Sequence, residues 1–566
     1  MFAQKNKKFI FLSCLITFCL FISLRAENVK TPAEKASFLS YSQNTEIARF
    51  LSQLDFLSNE LKIKIIGQTK ESRNYSPKDL FLCIITEEGI DNPSLLNRDK
   101  PTLLIIASQH GNEQSAKEAS LQLIRDLAFG KLKPLLKKIN FLIIPQANPY
   151  GNWFNQRRNE QDLDLNRDHV KLESPEVKAI HHVFRAWMPE ATIDVHEKGD
   201  DYYRVSIGCV SNININSKLQ EFSRKKILAE VEHNLKRKRI AFHEYLVTQP
   251  MGIDSSAGVR YSSQELAERQ TMKRYSTTDL NDGRNSLGIY QTLSFIQEGA
   301  SRHDLKTLKE RTHWQYYGLK FFAESLANHG QEVKSLVRSL RQQLLERAKT
   351  YDGNDIVHLR MKYARDVKQP TLIIKKFEKS QAPIRGVLKV DKKAGDLLTA
   401  TDIAPYPYPS SYNVVEEVVK NWFPNVEPIL SVSRPLGYII PAQYQEVIAT
   451  MLDHGLKVDM ITTDKILELE AYTVTDIVPA EYDYLPPQKI EVKSNKLKTV
   501  VKKGDYFISC AQDGANLIPC LLEPQSQYGF IRYWKFKLVP QKGDIFPFYR
   551  LVKEQKLGLV PFKAWR

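Results

Sequence analysis

Two short segments of the 566-residue chain carry the residue types of a metal centre. His110 and Glu113 stand three residues apart in the run Gln109-His110-Gly111-Asn112-Glu113, with the apolar run TLLIIAS (102–108) leading into them and a helical pattern following. At such a strand-to-helix turn an imidazole and a carboxylate can point at one ion. A borderline cation such as zinc accepts both donor types, and a catalytic site needs three protein ligands with one position left open. His196, at the end of ATIDVH (191–196), offers the third ligand. Ligands of open α/β sheets collect beyond the carboxyl ends of strands, so both pieces are expected on one edge. Asp194 precedes His196 by two residues and so shares its strand face, where it can orient a ligand or cap the strand. Taken singly, each of these residues also reads as an ordinary structural group.

Between the two pieces lies QANPYGNWFNQRRNEQDLDLNRDH (146–169), a turn followed by a stretch of little periodicity. Its Arg157, Arg158, Asn166 and Arg167 are candidates for holding anions, since guanidinium groups clamp carboxylates bidentately and stabilise developing oxyanions. Glu298 ends the run LSFIQEG (293–299) beside a glycine. A carboxylate next to a metal-activated water is a natural general base.

These residues need a sheet to position them. From about 40 to 330, near-continuous apolar runs alternate with helical patterns: IKII (63–66), LFLCIIT (80–86), TLLIIAS, NFLIIPQ (140–146), ATIDVH and LSFIQEG. Runs of this kind are strands of a helix-covered, mixed and mostly parallel sheet. Two long helices are expected over 304–328 and 330–350. The texture then changes, with PYPYPSS (405–411) and strand-like runs such as TLIIKKF and VLKV, so a domain boundary is placed near 350. The C-terminal region is expected to be α/β or strand-rich, and DHG (453–455) reads as a helix end with Gly455 past the cap.

Composition bounds the class. Apolar residues make 42% of the chain and charged residues 26%, which is globular rather than disordered. Net charge is +16, but the excess is scattered and runs such as KRKR (236–239) sit among acids, so no nucleic-acid partner is expected. Residues 1–26, MFAQKNKKFIFLSCLITFCLFISLRA, have the basic start and short apolar core of a secretory signal peptide. Export would permit disulfides, and Cys510 with Cys520 is the sequence-local pair, whereas Cys83 and Cys209 lie in apolar runs that suit buried free thiols.

The order HGNE, NPYG, R-x-N, DLNR, DVH and FIQEG resembles the zinc metallocarboxypeptidase family of carboxypeptidase A type, peptidase family M14, over about residues 40–328. The resemblance implies that His110, Glu113 and His196 bind zinc and that Glu298 is the general base for water attack on a peptide carbonyl. It makes Arg157, or its neighbour Arg158, the oxyanion-stabilising arginine, Asn166 and Arg167 the holders of a terminal carboxylate, and Asp164 the partner of a zinc histidine. It also implies an active-site tyrosine, for which Tyr275 and Tyr290 are candidates, and puts Arg284 where a pocket would favour an acidic side chain or a second carboxylate. The organisation implied is a signal peptide (1–26), a catalytic domain (27–350) and a C-terminal extension (351–566) like that of large exported bacterial members. The expected protein is thus an exported, periplasmic or extracellular zinc carboxypeptidase acting on protein-derived or cell-wall peptides. A deacylase of the same fold and a non-catalytic peptide-binding protein are the alternatives; the R-x-N and DLNR segments argue against the first, and Glu298 with Arg157 against the second.

Overall fold

The computed structural model describes residues 29–248, 272–378, 413–478 and 489–562. The leader expected at 1–26 and the PYPYPSS and VLKV stretches lie outside them. No helix among the described residues is long and apolar enough to cross a membrane.

The N-terminal half is built on eight strands: β1 (Leu61–Gln68), β2 (Asp79–Ile85), β3 (Thr102–Ala107), β4 (Asn140–Ile144), β5 (Ala191–Gly199), β6 (Val205–Cys209), β7 (Phe242–Glu244) and β8 (Leu293–Ser301). They hydrogen-bond in the order β1-β2-β4-β3-β5-β8-β6-β7. The pairs β3–β4, β3–β5, β5–β8 and β6–β7 are parallel, and the outer hairpin and β8–β6 are antiparallel. This is the mixed, mostly parallel sheet expected from the sequence. Every residue of β3, β4 and β8 is buried, because helices cover both faces of the centre. Edge strand β1 is instead partly exposed along its length, with only Leu61 buried.

Helices pack on this sheet. α1 (Gln114–Ala128) follows β3 directly, α2 (Pro175–Trp187) starts from a Ser174 cap with proline at its first position, and α3 (Gly283–Gly288), α4 (Leu308–Asn328) and α5 (Gly330–Arg347) flank β8 in sequence. The last two match the pair of long helices expected over 304–350.

The C-terminal half is strand-rich. A seven-stranded sheet, antiparallel in every recorded pair, includes Gly437–Ile440, Asp459–Ile461, Lys465–Val478, Lys489–Val501 and Tyr506–Ser509. Helix α6 (Gln445–Asp453) ends as the DHG reading requires, with Gly455 at φ +72°. One buried apolar cluster runs from Val29 through the N-terminal sheet into this half, where it takes in Tyr438, Met451 and Phe548. The two halves therefore share a core. All four described cysteines are buried free thiols. Cys510 and Cys520 are not joined: Cys520 lies within the helix Leu517–Leu522, where its sulfur takes a hydrogen bond from Asn214 Nδ2 at 3.4 Å.

Candidate metal centre

Beyond β3 the chain turns at Ser108, held in the left-handed region at φ 62°, and delivers Gln109 to Glu113 to the sheet edge before α1 begins at Gln114. The turn is pinned by the loop that follows β4. Asn148 caps its short helix by accepting from Gly151 N at 2.8 Å, and donates to the Gln109 carbonyl at 3.0 Å. Asn152 Nδ2 donates to the Gly111 carbonyl at 2.7 Å, and Gly111 N to the Arg157 carbonyl at 3.3 Å. The backbones meet so closely that a Cβ on Gly111 would lie 2.0 Å from the Gly151 carbonyl carbon. The NPYG motif thus shapes the HGNE turn rather than contributing a reacting group. Gly111→Ala is expected to cost at least about 1–3 kcal/mol in denaturant unfolding, since backbone rather than a side-chain tip must yield. Gly199→Ala, with nothing within 4 Å of its Cβ position, is the control expected to stay within about 0.5 kcal/mol of the parent.

His110, Glu113 and His196 converge, with one donor atom from each lying within 4.8 Å of the others, all three residues buried. The Nδ1 atoms of the two histidines are 3.0 Å apart, and each is 2.8 Å from an oxygen of Glu113. Each ring's other nitrogen faces a carboxylate: His110 Nε2 is 3.1 Å from Asp164 Oδ1, and His196 Nε2 is 2.7 Å from Asp194 Oδ2. With a cation held between the two Nδ1 atoms and Glu113, each Nε2 would carry the hydrogen and donate it to its own carboxylate. Three converging donor atoms at this spacing suit a cation such as zinc, which takes imidazole and carboxylate donors together. Charge tells the same story. Despite burial, Asp194 and Glu113 raise the His196 pKa well above the usual imidazole value. Against its own burial, Glu113 is held far below the usual carboxylate range by the two histidines.

Glu298 pairs in register with His196 across β8 and β5, which puts the two side chains side by side. Burial pushes its carboxyl up to about 7; His196 and His110 oppose that shift and Glu113 adds to it. Arg157, with 42% of its side chain exposed, anchors Nε on Asp164 Oδ2 at 2.9 Å and brings Nη1 to 3.2 Å from His110 Nδ1. Arg158 turns away, donating to the Asp162 carbonyl at 2.6 Å. Asn166 spans the site, its Nδ2 3.2 Å from His196 Nε2 and its Oδ1 accepting from Gly283 N at 2.8 Å. Arg167 is solvent-facing, donates to the Asn166 carbonyl at 2.6 Å and has Asp279 as its strongest acidic neighbour. Arg284 is buried, paired with Asp282 at 2.9 Å and donating to the Thr277 carbonyl. Its Nε and Nη1 have no hydrogen-bond partner among the described residues, and Nη1 lies 3.6 Å from where a Cβ on Gly208 would stand.

The two candidate tyrosines are placed elsewhere. Tyr275 packs edge-on against Trp422 with ring centroids 4.9 Å apart, under the Arg224 guanidinium. Tyr290 is buried and donates to the His454 carbonyl at 3.0 Å. The hydroxyl that hydrogen-bonds Glu298 belongs to Tyr245, just past β7. No local motif marks Tyr245, and only the pairing of β6 with β7 carries it to the β8 edge.

Residues 47–200 match the family model for zinc carboxypeptidases, peptidase family M14. Carboxypeptidase 2 of Trichophyton rubrum is 24% identical over 488 residues, covering 82% of this chain and 79% of that protein. Carboxypeptidase 2 of Trichophyton equinum is 24% identical over 493 residues with the same coverage. Among solved structures, a metallo-carboxypeptidase from Burkholderia cenocepacia is 17% identical, covers 51% of this chain and 70% of its own, and gives a TM-score of 0.36. Carboxypeptidase A from Helicoverpa armigera is 14% identical, with 51% and 75% covered and a TM-score of 0.38.

Proposed function

We propose that the chain, whose residues 47–200 match the zinc carboxypeptidase model, is a metallopeptidase that removes single residues from the carboxyl end of peptides, with zinc held by His110, Glu113 and His196. The observation that carries this reading is the pair of inward Nδ1 atoms 3.0 Å apart, each backed by its own carboxylate and closed by Glu113. Bound there, zinc would polarise a carbonyl and lower the pKa of a coordinated water.

The chain's own residues supply the rest. Glu298, with its carboxyl raised toward neutrality, is suited to take a proton from water and return it to the departing amine. Arg157 presents Nη1 beside the ligands, where an oxyanion would develop, and its tie to Asp164 fixes the guanidinium in advance. Arg167 offers an accessible guanidinium for the substrate's terminal carboxylate, which would set the last peptide bond over the ligands. The Nε and Nη1 donors of Arg284, without a hydrogen-bond partner among the described residues, support a preference for an acidic side chain at the residue removed. Residues 1–26 support export to the periplasm or beyond, where protein-derived and cell-wall peptides are both available.

The test is a pair of peptides identical except for a free or an amidated carboxyl end. The free form is expected to be trimmed and the amide spared, and Arg167→Ala is expected to raise KM for the free form by about 10-fold or more, as loss of a hydrogen bond to a charged group costs about 1.5–3 kcal/mol. Equal cleavage of both forms would overturn the carboxypeptidase reading. Within the free series, a C-terminal glutamate favoured over leucine or lysine would support the role given to Arg284, and the reverse order would remove it.

A further inference from the structure

The carboxylate behind His196 is itself held from behind. Gln109 Nε2 donates to Asp194 Oδ2 at 2.7 Å, Gln109 Oε1 lies 2.9 Å from His169 Nε2, and His169 Nδ1 lies 3.1 Å from His181 Nε2. All four side chains are buried. Donor accounting fixes the chain's direction. Asp194 only accepts, so Gln109 must turn its amide nitrogen toward it and its oxygen toward His169. His169 Nε2 must then carry the hydrogen, and its bare Nδ1 accepts from His181 Nε2. The chain stops at His181 Nδ1, which has no partner among the described residues.

Two further contacts clamp this row. A Cβ on Gly283 would lie 3.0 Å from Gln109 Nε2, 3.1 Å from Asp194 Oδ2 and 3.2 Å from His169 Nε2, so the Gly283 backbone lies flush over all three. From the C-terminal half, His454 donates from Nε2 to the Val170 carbonyl at 2.9 Å and stands edge-on to His181, ring centroids 5.1 Å apart.

We propose that His169 is a positioning residue for the metal centre: by occupying Gln109 Oε1 it holds the amide against Asp194, which in turn keeps the His196 Nδ1 lone pair aimed at the metal. The proposal rests on the metal reading above. Without a donor at this place Gln109 Oε1 would be left unsatisfied in a dry interior, and the side chain would leave Asp194 to find another partner. Partners behind a metal ligand typically change metal affinity by about 10–100-fold, and a residue one step further back belongs at the lower end of that range.

The test is the zinc dissociation constant of the full chain, measured by chelator competition on the wild type, His169→Phe, Gln109→Ala and the double variant. His169→Phe is expected to weaken zinc about 10-fold. In the Gln109→Ala background it is expected to add nothing, because the effect travels through Gln109. His169→Phe with wild-type affinity, or effects that multiply in the double variant, would overturn the proposal. Should the phenylalanine variant lack a folded apoprotein by thermal unfolding, His169→Gln and His169→Asn carry the test. Glutamine donates from the Nε2 position and is expected to keep the affinity, while asparagine donates from the Nδ1 position and is expected to lose it. Equal affinities for these two would count against the proposal. A wild type that binds no zinc would instead remove the metal reading, and this inference with it.

Discussion

Glu298→Gln is expected to lower kcat by about 10²–10⁴-fold, the contribution of a positioned general base, while the chain still binds zinc. The substitution keeps shape and burial but removes the group that accepts a proton. Glu298 stands beside His196 in the register of β8 and β5 and is not one of the three converging donors, so metal content and peptide binding are expected to persist. Single-turnover hydrolysis with zinc saturating separates the outcomes. A lost rate with zinc retained supports the assignment, whereas near-wild-type turnover would move the base elsewhere. The hydroxyl of Tyr245, hydrogen-bonded to this carboxyl, has no comparable place as a proton acceptor, because burial raises its pKa well above the ordinary phenol value and the neighbouring carboxylate raises it further.

Arg157→Ala is expected to cost about 10²–10³-fold in kcat, the range seen when one oxyanion donor is removed, with KM changed far less. Arg157→Lys is expected to rescue little of this loss. The native side chain anchors Nε on Asp164 and presents Nη1 near His110 at the same time, and a single ammonium group cannot do both. The measurement is kcat and KM at saturating zinc, since Asp164 also backs His110 and its loosening would weaken the metal. A purely structural arginine would lower the melting temperature and leave kcat intact. That result would contradict the role given to it.

The sheet was legible because its central strands are buried on both faces, so TLLIIA and NFLII appear as nearly unbroken apolar runs, and LSFI opens a third. The convergence of His110, Glu113 and His196 was legible in outline: the first two follow the end of β3 as expected, whereas β5 runs on past His196 to Gly199. What depends on side-chain direction in irregular backbone was not legible. Arg157 and Arg158 are neighbours in a loop without periodicity, and only the folded loop turns one to Asp164 and the other to Asp162. Tyr245 reaches Glu298 through the pairing of strands that are distant in sequence, so spacing from Glu298 pointed to other tyrosines. His169 and His181 form their row with Gln109 only once the fold brings α2 and the loop before it beside the turn after β3. The free state of Cys510 and Cys520 likewise follows from where their elements pack, not from their closeness in sequence.

The central claim is that His110, Glu113 and His196 hold a zinc that drives trimming from the carboxyl end. The most direct test follows a defined peptide by mass spectrometry with the chelator-stripped full chain, before and after one equivalent of zinc is restored. The account predicts no change before zinc and stepwise loss of single C-terminal residues after it, absent in His196→Ala. Trimming by the stripped chain, internal cuts in the peptide, or an inert peptide with zinc bound would contradict it.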